Sequence, residues 1–248
     1  MPAGYAPPCV LLYGPVNFMS FSDGDFVKVE YSIWRASDNQ LIRTTDKKAA
    51  EEKGIYDSKA VYSPQLVVVG KGNMFRKVDD AIKGMAVGEN RKVELAPEDA
   101  YGQRNKDLVR VMPLSEFRKR EINPEPGLQI EIDGGIATVM SVNSGRVLVD
   151  ANHPLAGERL VYEIRAVEKV EGDDAKVKAL LENYSLSADE VRASGDMVKV
   201  RFGEKVEKNA DYFINKSEFA AALLRYMDKI SRVSFEEDYS RKEEKKEG

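Results

Sequence analysis

The chain has 248 residues, with 38 basic against 42 acidic side chains and a net charge of −4. That balance lacks the positive field that nucleic acid or an anionic membrane would require, and the single cysteine, Cys9, rules out an intrachain disulfide and fits a reducing, cytoplasmic setting. With one histidine (His153), no CxxC or HxxxH spacing, no nucleophile elbow and no phosphate-binding loop, no metal or cofactor is expected, and any catalysis has to work by binding.

Residues 1–22 have no hydrophobic period and several prolines. They read as a loosely attached leader in which Met19 could be the natural start. The apolar run CVLLYGPV is too short to cross a bilayer. From Phe26 to Trp34, Val27, Val29, Tyr31 and Ile33 alternate with Lys28, Glu30 and Ser32, which predicts a half-buried strand. SDNQ turns it around and LIRTTD starts a second extended piece, followed by a charged loop or short helix ending at Gly54. PQLVVVGKG reads as a buried strand. NMFRKVDDAIKGM puts Phe75, Val78, Ala81, Ile82 and Met85 on one helical face, with Gly84 at the C-cap.

NRKVELAP is the next strand. It stops at Pro97, and a comparable strand, ERLVYEIRAVEKV, begins only at Glu158. A structureless connection of about fifty residues is improbable, and the interval carries its own pattern. PLSEFRK is a helical turn, and LQIEIDGGIATVMSVNSGRVLVD is a β-meander turning at Asp133-Gly134 and Ser144-Gly145. Residues 103–152 are therefore expected to form a small inserted domain. Its charges balance, which argues against an RNA-binding barrel.

After Val170 the pattern changes again. EGDDAKVKALLENYS is a helix candidate, SADE at 187–190 matches a capping box, and MVKVRF is a short strand. In NKSEFAAALLRYMDKI, Phe219, Ala222, Leu223, Tyr226, Met227 and Ile230 form one helical stripe. RVSFEEDYS closes as a strand before the charged tail RKEEKKEG. The stripe, with Leu180, Leu181 and Tyr184, exceeds what two short strands would cover. It predicts a homodimer through this C-terminal unit, unless the stripe docks on the rest of the chain.

VGKGNMF, VDDAIKGMAVGE, KVELAPEDAYGQRN, LVRVMPLSEF and VDANHPLAGERLVYEIRAVEKV, in that order, resemble the FKBP-type peptidyl-prolyl isomerases. The resemblance runs from about Asp23 to Glu171 and is to the SlyD-like subgroup, in which a chaperone domain is inserted in the flap. The C-terminal unit is similar to that of long archaeal members. The resemblance implies an α+β fold: an antiparallel sheet wrapped on a helix (23–102 and 153–171), a β-rich insert (103–152) and a C-terminal α+β domain (172–248).

It also implies a prolyl isomerase and chaperone acting on unfolded or proline-containing polypeptides. The implied pocket comprises Tyr31, Ile42, Met74, Phe75, Val78, Tyr101, Leu155 and Tyr162, with Tyr101 holding the substrate carbonyl and Val78 as floor. Arg43 stands where family members usually carry an aspartate, Lys77 where a glycine is usual and Gln65 where an apolar residue is usual. These departures keep open a binding-only chaperone, and the C-terminal unit keeps open an interaction protein that recruits a dedicated partner. On the insert, Val111, Met112, Leu114 and Phe117 are the expected groove for unfolded chains, with Met112 and Phe117 as the exposed contacts.

Overall fold

The computed structural model describes residues 20–132, 134–204 and 206–239. The expectations for the first nineteen residues, Asp133 and the charged tail lie outside them. In chain order the elements begin with β1 (Phe26–Arg35), β2 (Gln40–Thr44), α1 (Lys47–Glu52), β3 (Gln65–Val68), α2 (Arg76–Lys83) and β4 (Asn90–Leu95). Then come β5 (Val109–Pro113), α3 (Leu114–Lys119), β6 (Gln129–Ile132), β7 (Gly135–Asn143), β8 (Arg146–Asp150) and β9 (Leu160–Val170). The chain continues through α4 (Asp173–Asn183), β10 (Glu190–Ser194), β11 (Met197–Phe202), α5 (Ala210–Tyr226) and β12 (Arg232–Glu237). No helix among the described residues is long and apolar enough to cross a membrane.

The body is an antiparallel sheet ordered β2-β1-β9-β4, with β3 paired to the other end of β1. Side chains alternate between the faces of a strand, and both faces of β1 are used. Val27, Val29, Tyr31 and Ile33 join Val67, Tyr162 and Ile164 in a core closed by Val78, Ile82 and Met85 from α2 and the residues after it. On the opposite face Phe26 pairs with Val68 on one side and Val170 on the other, and this rung is buried in the core of the C-terminal unit. Phe21, assigned to the leader by its boundary at residue 22, belongs to the body instead: its ring is buried there and its N–H donates to the Met85 carbonyl at 3.1 Å.

The insert is a four-stranded antiparallel sheet, β5-β8-β7-β6, against α3. Its core of Phe117, Ile130, Ala137, Val139, Val147 and Val149 is drawn wholly from residues 109–150. The strand β5 went unread in the sequence because Pro113 ends it after five residues.

In the C-terminal unit β10-β11 is a hairpin turning at Gly195 (φ 62°), and α5 is the crossover that returns β12 parallel to β11. The capping-box reading of SADE is corrected here: residues 190–194 are a strand, not a helix. Val191 and Ala193 pair with Val200 and Val198 and lie against the core, so two-residue alternation outweighs the local capping signature. The long helix starts at Ala210, capped by the Asn209 side chain accepting from the Tyr212 N–H at 2.9 Å, and ends at Tyr226. Phe219, Leu223, Met227 and Ile230 are buried with Leu180, Leu181, Phe202 and the Phe26 rung. Most of the apolar stripe that motivated a homodimer is therefore covered within the chain, while Phe213, Ile214 and Leu224 of the same helix stay exposed.

Candidate active site

A pocket of about 660 Å³ opens on the body beside α2. β1 supplies Tyr31 and Ile33, β2 supplies Ile42 and Arg43, and the turn into α2 supplies Met74 and Phe75. Tyr101 follows the turn after β4, Leu155 precedes β9 and Tyr162 lies on it. The rings form a box. Tyr31 and Tyr162 stack with centroids 6.3 Å apart, Phe75 stands edge-on to Tyr162 at 6.1 Å and 89°, and Phe75 meets Tyr101 at 5.2 Å and 85°. Edge-to-face contacts of this kind fix ring orientation as well as burying area. Burial raises the Tyr31 phenol and pushes that of Tyr162 well above the usual tyrosine range, so both stay neutral at physiological pH.

Local structure explains how these rings are placed. The GKGN turn at 70–73 needs positive φ at Gly70 (76°) and Gly72 (77°), and a Cβ on Gly70 would fall 2.5 Å from the Asp23 carboxylate. The turn is pinned from beneath by buried Asp79 of α2, whose Oδ2 accepts from the Gly70 N–H at 3.0 Å, while Asn73 Oδ1 accepts from the Val68 N–H at 3.0 Å. Asp79 Oδ1 has no partner among the described residues, and burial raises this carboxyl above the usual range. Met74 and Phe75 follow directly.

On the other wall, Lys77 pairs with Asp99 at 2.5 Å and ties α2 to the turn that delivers Tyr101. The Tyr31 hydroxyl donates to Gln65 Oε1 at 3.1 Å. Two of the sequence departures thus have structural work in the site: Lys77 positions and Gln65 orients.

Tyr101 is 38% exposed and sits where the chain leaves the body for the insert. Its ring lies flat on His153, with centroids 3.7 Å apart and planes within 6°. His153 Nδ1 accepts from the Leu155 N–H at 3.1 Å, so in the neutral ring the proton sits on Nε2. Neither the Tyr101 nor the Tyr162 hydroxyl makes a hydrogen bond to a described residue, and both residues line the pocket.

Of the expected pocket residues, Tyr31, Ile42, Arg43, Met74, Phe75, Tyr101, Leu155 and Tyr162 line one cavity. Val78 does not. It is wholly buried in the α2 core behind the pocket, so it supports the floor without forming it.

The groove expectation for the insert needs a larger correction. Phe117 is 3% exposed and anchors the insert's core, because α3 turns its apolar side onto the sheet. Met112 and Leu114 are partly buried against the same core. Val111 alone of the four is exposed, at 61%, and Ile136 (68%) and Met140 (44%) on β7 are exposed as well. Those two were not anticipated, since the meander gave no sign of which face would be uncovered. Sequence reasoning also missed the His153 stack and Asn183, which reaches the pocket wall from α4. Among the described residues no cluster of three His, Cys, Asp or Glu side chains is placed to hold a metal.

Residues 19–132 match the family model for FKBP-type peptidyl-prolyl cis-trans isomerase, and residues 110–155 match that for the FKBP26, IF domain. Neither extends beyond residue 155. A short-type peptidyl-prolyl cis-trans isomerase of Methanocaldococcus jannaschii is 34% identical over 142 residues, covering 57% of this chain and 89% of that protein. SlyD proteins, named FKBP-type peptidyl-prolyl cis-trans isomerases, are also similar. That of Treponema pallidum is 30% identical over 154 residues (60% of this chain, 87% of the relative), and that of Escherichia coli is 30% identical over 120 (47% and 61%).

Proposed function

The chain belongs to the FKBP-type peptidyl-prolyl cis-trans isomerase family, and from that premise we propose that it isomerises prolyl bonds in unfolded or nascent polypeptides in the cytoplasm while its insert holds the client chain. Rotation about an X–Pro bond meets a barrier of ~20 kcal/mol, set by amide resonance that places partial charge on oxygen and nitrogen. A pocket walled by Tyr31, Phe75 and Tyr162 disfavours that charge separation relative to the twisted amide, in which it is reduced. Each ~1.4 kcal/mol of preference for the twisted state is a tenfold rate. The reaction consumes no proton, nucleophile or electron, in keeping with a pocket that has no general base.

One observation carries the reading: a box of neutral aromatic rings lines the pocket, and two of its hydroxyls, those of Tyr101 and Tyr162, make no hydrogen bond to a described residue, Tyr101 being the more exposed of the two. We assign the Tyr101 hydroxyl as the donor to the carbonyl preceding proline. Tyr101→Phe removes about one hydrogen bond, ~1 kcal/mol, so kcat/KM for a prolyl peptide is expected to fall roughly fivefold at unchanged melting temperature. Unchanged turnover would reduce Tyr101 to a packing residue.

For the insert, the exposed apolar residues Val111, Ile136 and Met140 are the proposed contacts for unfolded chains, in place of the buried Phe117. A second reading, a chaperone that binds without turnover, draws on Arg43, which puts a cation at the pocket where the family usually has an acid. The prolyl-peptide assay separates the two.

A further inference from the structure

Arg43 lies at a junction. It lines the aromatic pocket and also a trough of about 610 Å³ running from the pocket between the 55–66 segment and the end of α4, and Gln65, Leu66 and Asn183 border both cavities. Among the described residues it is the only charged one lining the aromatic pocket, whose other walls are rings, aliphatic groups and amides. Its charge is felt at both buried phenols, Tyr31 and Tyr162, where it opposes the larger effect of burial. Yet its guanidinium has no ion pair with any described carboxylate.

The trough's other charges are differently placed. Lys28 is already shared by Glu168 at 3.7 Å and Glu182 at 3.6 Å, and Asp57 accepts from the Lys59 N–H at 2.9 Å. The groove is therefore polarised. An unneutralised cation lines the proline pocket, and in the trough outside it Asp57, Glu168 and Glu182 outnumber Lys28.

We propose that this groove selects prolines with an acidic residue as immediate neighbour, that Arg43 is the specificity-determining residue, and that the flanking peptide lies in the trough walled by α4. The proposal deepens the isomerase reading and rests on it for the position of the proline. A substrate carboxylate next to the pocket meets a guanidinium that presents donors in a fixed fork. A lysine there meets like charge. In the trough outside the pocket, Asp57, Glu168 and Glu182 outnumber Lys28, so an acid placed several residues from the proline gains nothing.

The test uses the full chain and single-proline peptides of about ten residues. Glu or Lys is placed immediately before the proline, immediately after it, or four residues away. Binding is read by fluorescence anisotropy and turnover by isomerisation kinetics, each at low and high salt, for the wild type, Arg43→Gln and Arg43→Glu.

For at least one adjacent position, Glu is expected to exceed Lys by roughly three- to tenfold at low salt, with the ratio shrinking at high salt. That ratio should fall towards one in Arg43→Gln and invert in Arg43→Glu, and the distant pair should show no Glu preference. Equal use of Glu and Lys at both adjacent positions, or a Glu preference that survives Arg43→Glu, overturns the proposal. A distant Glu that works as well as an adjacent one also overturns it, because a diffuse field would then suffice. Turnover without a charge preference leaves the isomerase standing and removes this inference. Binding that prefers adjacent Glu without any turnover removes the isomerase and leaves the inference. Failure to bind any peptide removes both.

Discussion

The insert and the C-terminal unit are joined to one body in opposite ways. The insert keeps its core to itself. It meets the body at a neck, where Arg104 pairs with Asp150, Asn105 and Asn152 exchange two hydrogen bonds at 2.8 Å, and the Gly157 N–H donates to the Gly102 carbonyl at 2.8 Å. The C-terminal unit has no core of its own separate from the body's sheet: Phe26, Val68 and Val170 are buried among Leu180, Phe202 and Leu223. It also reaches the turn beside the pocket, with Asn73 Nδ2 donating to the Tyr226 hydroxyl at 3.0 Å and Arg225 donating to the Lys71 carbonyl at 3.3 Å. A self-contained core permits opening at the neck without loss of the active site, whereas a shared core makes body and C-terminal unit one cooperative block.

The strongest way to break this comparison is to cut one large side chain from each core. Phe26→Ala and Phe117→Ala should each cost about 3–5 kcal/mol, but in different places. In calorimetry of the full chain, Phe26→Ala is expected to lower a transition that carries body and C-terminal unit together and to spare the insert's. Phe117→Ala is expected to lower only the insert's transition, with peptide isomerisation retained below it. If Phe26→Ala melted the C-terminal unit alone, the shared core would be a contact between independent domains.

Acid should act on the shared block through Glu237. Lys216 pairs with this carboxylate, and the hydroxyls of Tyr239 and Tyr212 donate to it, which together pull its carboxyl down to about 2. Because the folded value is depressed below the unfolded 4.5, the stabilisation is full above pH 4.5 and is lost as pH falls towards 2. The loss is on the order of 2–3 kcal/mol. Glu237→Gln should flatten this part of the stability profile of the block, followed by urea titration across that pH range. An unchanged slope would show that the cluster contributes no net stability.

How much of this was legible follows from which forces are local. Alternation in β1 and the one-faced pattern of α2 are properties of neighbouring residues, so that strand and the α2 packing face could be read directly, whereas the α+β architecture came with the resemblance. The motifs around Met74, Phe75, Tyr101 and Leu155 lie at fixed distances from those elements, so a resemblance could carry their grouping. What stayed hidden depends on a second surface. Phe26 and Val170 look like ordinary strand residues until another unit covers their face, and SADE looks like a capping box until β11 lies beside it. Phe117 and Ile136 exchanged roles for the same reason: an apolar residue in a small domain is core or surface according to which face the single helix covers. Asn183 and Tyr226 reach the pocket region from far along the chain, which no local pattern records.

A smaller effect should sharpen the contrast in function. Replacing residues 103–152 by a short turn should leave isomerisation of a small prolyl peptide within about threefold. Catalysis of a proline-limited refolding reaction should fall at least about tenfold, because the client is no longer held near the pocket. Equal loss of both activities would make the insert part of the catalytic pocket.

The finest probe is Tyr226→Phe, which removes only the hydroxyl that meets Asn73. The bond is exposed, so water can replace it at the Asn73 amide, and the stability cost should be about 0.5–1 kcal/mol. Its location gives it a second readout. Asn73 spans two partners, the Val68 N–H at its oxygen and Tyr226 at its nitrogen, and it precedes Met74 and Phe75 in the chain. Loosening one end should let the 70–73 turn sample more conformations. That would raise KM for a prolyl peptide by roughly twofold while kcat stays near its original value, since the rings that act on the twisted amide are untouched. Tyr184→Phe serves as the control, because that half-buried tyrosine of the same unit packs on the shared core without a hydrogen bond to the turn. A KM change in Tyr226→Phe but not in Tyr184→Phe would place the C-terminal unit's influence on catalysis in this one contact. Identical kinetics in both would confine that unit to holding the fold.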